Sequence, residues 1–270
     1  AVTTDVRESY RRFPGWTQHL WTWLTGKALP RQQPLIRHTW ASYLAVTLTA
    51  FLGGLALSSS ALALMPGMWW LMLPAGLVLT LHGARTMILV IAHQALHRRF
   101  SGSARLDRFV GEMVTVLNVY QDFRAFKEEH FDAHHRRAIF ATEADPPVRF
   151  LFGLGFRPGM SRVALRRRAL LVFVSPRFHW LSFQDRFLCN VRRGTWRRVG
   201  FTVWAGFWLS VPFWMPNGLL VLAVAFVLPV VILSQLSALL DRLGEHAWLT
   251  PPDPSHGSRY YTVSATSARF

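Results

Sequence analysis

The sequence predicts an all-α integral membrane fold, with four transmembrane helices in two hairpins and a cytoplasmic helical cap. Three observations carry this reading. Long uncharged apolar stretches come in pairs, a Pro/Gly turn separates the members of each pair, and basic residues gather away from those turns. The chain has 270 residues, 51% of them hydrophobic, which suits one membrane unit better than two soluble domains.

Residues 1–39 mix Asp5, Arg7, Glu8, Arg11, Arg12, Lys27, Arg31 and Arg37 without an apolar core, which excludes a signal peptide. They read as a cytoplasmic or interfacial segment in which Trp16, Leu20, Trp23 and Leu24 share a helical face beside Lys27. Residues 40–92 form the first hairpin. No charge occurs from Trp40 to Met65, Pro66-Gly67 makes the turn, and a second apolar run starts at Met68 and meets His82 and Arg85. At 1.5 Å per residue Arg85 lies about 26 Å along that helix, so the helix is expected to overrun the bilayer core.

Residues 93–200 form the cytoplasmic cap. Within it, Ala169 to Val174 is too short to span and follows Arg166-Arg167-Arg168, the pattern of an interfacial basic helix or of a solvated basic loop. Gly153, Gly155 and Gly159 match a dinucleotide-binding loop only loosely, because Pro158 intervenes and no strand precedes them. Residues 201–240 form the second hairpin: Phe201 to Met215, a turn at Pro216-Asn217-Gly218, then Leu219 to Leu240. Residues 241–270 return to the cytoplasm.

The formal charge of +16 suggests nucleic acid only until its distribution is considered. Both hairpin turns lack Lys and Arg, whereas 20 basic residues lie between His93 and Gly200 and six precede the first span. The positive-inside rule therefore places both termini and the cap in the cytoplasm and accounts for the charge without a nucleic-acid partner. The expected location is the bacterial inner membrane. The single cysteine, Cys189, excludes an intrachain disulfide and any paired-cysteine metal motif.

Histidines carry the chemical signal. His93 and His97 are four apart, and His130, His134 and His135 form a second group. Residues four apart on a helix project from one face with Cβ atoms about 5–6 Å apart, so two imidazoles can converge on one metal. The first pair lies where the second span should emerge, and His246 follows the fourth span at a similar depth. Glu129, Asp132 and Glu245 are placed to orient these rings. Imidazole-rich ligation suits zinc, copper, iron or nickel, and five or six histidines exceed the four ligands of one structural zinc, so two metals are expected. His19, His38, His179 and His256 read instead as hydrogen-bonding residues. His82, inside a span, is open between a functional and a structural role.

His93-Gln-Ala-Leu-His97 resembles the first histidine box of the membrane fatty-acid desaturase and hydroxylase superfamily. The run from His130 to His135 resembles the second box, with three rather than two intervening residues, and Glu245-His246 resembles the isolated histidine that precedes a third. The likeness covers Trp40 to His246. No third box follows before Phe270, and the chain is expected to continue beyond that residue. The resemblance implies two non-haem iron ions, held by His93, His97, His130, His134, His135 and His246, that use O2 against an unactivated C–H bond of a lipid acyl chain. It also implies membrane lipids as surroundings and a ferredoxin- or cytochrome-type electron donor.

A desaturase is the leading expectation, and a lipid hydroxylase with the same centre is its sibling. A non-catalytic structural membrane subunit is the alternative from another class. A metal transporter should hold its ligands near the bilayer midplane, whereas these lie at its boundary.

Overall fold

The computed structural model describes residues 10–25, 28–33, 36–64, 67–134, 144–157, 159–192 and 194–245. Among them every regular element is helical. Three helices are long and apolar enough to cross a membrane: α2 (Trp40–Ala63), α3 (Trp69–Leu96) and α10 (Gly218–Leu243). A short helix, α1 (Gln18–Thr25), precedes them and leaves Trp16 and Leu20 exposed. The Trp23 and Leu24 side chains and Lys27 lie outside the described residues.

Helix α2 starts where the sequence supplies a cap, the Thr39 hydroxyl accepting from the Ser42 amide. It packs against α3 with almost no space between the backbones. A Cβ on Gly76 would lie 2.3 Å from Ser58 Oγ, and one on Gly83 would lie 2.7 Å from the Phe51 backbone nitrogen. Small residues are what allow such approach between membrane helices, where lipid is as apolar as leucine and packing drives association. Phe51, Leu55, Ala84 and Met87 form the buried seam of this hairpin.

The other hairpin pairs α9 (Thr195–Trp214) with α10 through a turn in which Asn217 adopts φ 54°. Asn217 Nδ2 donates to the Leu62 carbonyl at 2.9 Å, so this turn lies beside the end of α2. At the opposite end Arg85 Nη2 stands 3.4 Å from Asp241 Oδ1 and joins α3 to α10. The two helix pairs are therefore tied at both ends, the turn at Asn217 lying beside the end of α2. Helix α9 has 20 residues but is not among the three spanning candidates. Arg197 and Arg198 in its first turn, together with four tryptophans, lower its mean hydropathy.

Between the hairpins lie α4 (Ala104–Leu117), α5 (Phe123–Glu128), α6 (Pro146–Gly153), α7 (Arg162–Phe173) and α8 (Pro176–Phe183). Ser103, Asp122, Ser161 and Ser175 cap four of them, each accepting a backbone N–H. Helix α7 begins seven residues earlier than the apolar run from Ala169, because Ser161 caps it there. Arg166, Arg167 and Arg168 are consequently inside the helix, and its Val163, Leu170 and Leu171 are exposed beside them. A second apolar core under α6 and α8 unites Val148, Leu151, Phe178 and Leu239. Gly155 and Gly159 sit at φ 84° and 78° in the loop after α6, with no strand before them.

Candidate metal centre

Helix α3 does not stop where its apolar run ends. Met87, Ile91 and Ala92 are wholly buried, and this packing carries the helix through a π-helical stretch, Met87–Ala92, to His93. Such wider turns re-aim the residues that follow and recur at functional sites. The pair His93 and His97 then projects from the last turns, their rings stacked with centroids 5.2 Å apart.

The third imidazole arrives from a distant part of the chain. Helix α4 leads into a turn at residues 118–122, and Asp122 Oδ1 caps α5 by accepting from the Ala125 amide at 2.9 Å. Phe123 is buried against Gly111 of α4, where a Cβ would lie 2.3 Å from the ring, so only glycine admits it. Helix α5 passes into a π-helical segment, Glu129–His134, that carries His130. The His130 ring stands edge-on to both partners, 4.7 Å from His93 and 5.1 Å from His97. His130 Nε2 is 3.1 Å from His97 Nε2.

The three ring nitrogens lie within 4.8 Å of one another. Phe131 stands edge-on to His97 and His130, and Phe126 lies 6.0 Å from His130, so aromatic rings wall the cluster on one side. His130 retains 9% exposure, and His93 and His97 are half-buried. Three imidazoles so placed are a donor set for a borderline metal such as iron or zinc. Each ring has a second nitrogen to be fixed by a further partner.

The structure thus brings together His93, His97 and His130. The His134 side chain, His135 and His246 lie outside the described residues, as do the Asp132 and Glu245 side chains. Glu129 accepts from Gln121 Nε2 at 3.4 Å and lines a neighbouring cavity of about 800 Å³ with Arg149, Phe150 and Arg242. His82 is not part of the cluster. His179 contacts the Phe173 carbonyl at 2.7 Å, His19 Nδ1 meets Gln32 Nε2 at 3.3 Å, and His38 Nδ1 lies 3.4 Å from Ser42 Oγ. These are ordinary hydrogen-bonding roles. His256 lies outside the described residues.

One polar assembly escaped the sequence reading. Arg197, 7% exposed, donates to Asn190 Oδ1 at 2.7 Å, Glu112 Oε2 at 2.6 Å, Thr115 Oγ1 at 2.9 Å and the Tyr120 carbonyl at 2.7 Å. Its signal was an arginine placed one turn before an apolar run, which positive-inside counting absorbed as topology. Residues 68–269 match the family model described as fatty acid desaturase. No curated protein and no solved structure matches the chain.

Proposed function

Because this chain belongs to the fatty acid desaturase family, we propose that it is a membrane-bound di-iron oxidoreductase that introduces a double bond into a lipid acyl chain. The observation that supports this reading most directly is the convergence of His93, His97 and His130 at the end of an apolar helix. Two elements distant in sequence meet there in a donor geometry that neither shows alone. In the proposed site His134, His135 and His246 complete the ligand set. When bound, two non-haem iron ions supply the oxidising power of the site, drawing on O2 and delivered electrons.

The chain's own residues do the rest. The histidines bind and orient, while Phe126 and Phe131 keep water from one side of the cluster. The exposed apolar faces of the long helices suit contact with lipid, the source from which an acyl substrate would come. Helix α9 acts as the fourth span in this reading. Its 20 residues extend about 30 Å, and Val203, Leu209 and Phe213 are exposed on its surface. By the charge distribution, the cap at residues 93–200 and the segments 1–39 and 241–270 face the cytoplasm of a bacterial inner membrane. That basic face would receive the acidic ferredoxin- or cytochrome-type donor.

Two measurements on the full-length protein test the proposal. Metal analysis should return about two irons per chain, and substoichiometric iron with zinc in its place would sink the assignment. Mass spectrometry of the lipid product should show the loss of two hydrogens. A gain of one oxygen would establish hydroxylation instead.

A further inference from the structure

We propose that Arg197 is a positioning residue for the histidine centre: from the first turn of α9 it clamps the turn at residues 118–122 and so sets where α5 delivers His130. The inference rests on the metal-binding reading above. It begins from a charge that has no reason to be buried. An unpaired guanidinium in such a place is strongly disfavoured, so its partners must be arranged to receive it. Arg197 meets Glu112 as an ion pair at 2.6 Å, and its Nε lies 3.8 Å from Asp122 Oδ2. Both carboxylates belong to the elements that flank the turn, the second half of α4 and the cap of α5.

The turn itself needs holding. Val119 adopts φ 50°, a conformation that branching at Cβ makes costly and that persists only where the surroundings impose it. Those surroundings converge on the next residue. The Tyr120 carbonyl accepts from Arg197 Nη2 at 2.7 Å and from Asn190 Nδ2 at 2.9 Å, and the Arg186 guanidinium lies 4.4 Å from the Tyr120 ring centroid. Two residues further on, Asp122 caps α5. From Asp122 to His130 the helix carries any displacement of the turn rigidly over about 12 Å. A planar fork with directed donors fixes orientation as well as distance, which a lysine ammonium does not. Trp204 Nε1 repeats the tie from α9, donating to the Leu117 carbonyl at 3.0 Å.

The consequence lies in the tolerance of the centre. Metal–ligand distances vary by only about 0.2 Å, so a loosened turn weakens binding through His130 while His93 and His97, held by α3, stay in place. Cobalt(II) titrated into the purified full-length protein in detergent, followed by visible absorption, measures this. Arg197→Lys and Arg197→Gln should weaken cobalt binding by about tenfold to 100-fold, the range of residues that orient ligands. Amide exchange should rise in residues 123–131 and not in α2. Leu239→Ala, in the separate core under α6 and α8, is the matched control for loss of stability and should bind cobalt as the parent does. Parent-like affinity in both Arg197 variants overturns the proposal. So does a weakening no larger than in Leu239→Ala, or failure of both variants to fold, since each assigns Arg197 to general packing. If the parent binds no cobalt, or binds it unchanged after His130→Ala, the metal reading falls and this inference with it.

Discussion

At the scale of single residues, the histidines divide by what their neighbours require of them. His19, His38 and His179 each meet a nearby hydrogen-bonding group, whereas His93, His97 and His130 come together in one cluster. Their ring nitrogens lie within 4.8 Å of one another, with His97 Nε2 and His130 Nε2 3.1 Å apart, a spacing that suits joint ligation of one ion. His130→Ala should therefore lower metal affinity by more than about 100-fold and abolish turnover, because it removes a ligand rather than an orienting partner. Helical circular dichroism should stay at the parent value. A large loss of helix would mark His130 as structural.

At the scale of elements, the first hairpin is held by the absence of side chains. Gly76 and Gly54 face α2 and α3 at distances that no Cβ tolerates, whereas Gly53, one residue along, has open space around it. Gly76→Val should lower thermal stability in detergent by about 2 kcal/mol or more, since overpacking here meets backbone that cannot move aside. Gly53→Ala should be neutral or stabilise by up to about 1 kcal/mol through helix propensity. Equal effects would remove the packing argument. The same logic reaches the site: Gly111 admits Phe123, so Gly111→Ala should displace α5 and weaken metal binding along with stability.

At the scale of the whole molecule, the hairpins are tied at both ends, by Asn217 to the Leu62 carbonyl and by Arg85 to Asp241. The ion pair is substantially exposed and should contribute at most about 1 kcal/mol in a double-mutant cycle. Asn217 matters more for its backbone. Asn217→Val should destabilise by about 1–2 kcal/mol, because a β-branched residue resists φ 54°, while Asn217→Gly should lose mainly the hydrogen bond. Orientation is open to a separate test in a Cys189→Ala background. Cysteines at positions 67 and 217 should react with an impermeant reagent in intact cells, and one at position 102 only after permeabilisation. The reverse pattern would invert the proposed topology.

The sequence by itself determined three long apolar helices and the family, because hydrophobic runs and histidine spacing are local patterns that survive without coordinates. It also singled out His93, His97 and His130, since four-residue spacing and position beyond a span are readable along one chain. Only the tertiary structure decided that His130, in the π-helical segment after α5, meets the pair at the end of α3, and that Arg197 is buried rather than topological. The reason is physical: both depend on a turn with Val119 at positive φ and on partners tens of residues apart, and no local preference of an arginine or a valine encodes that closure.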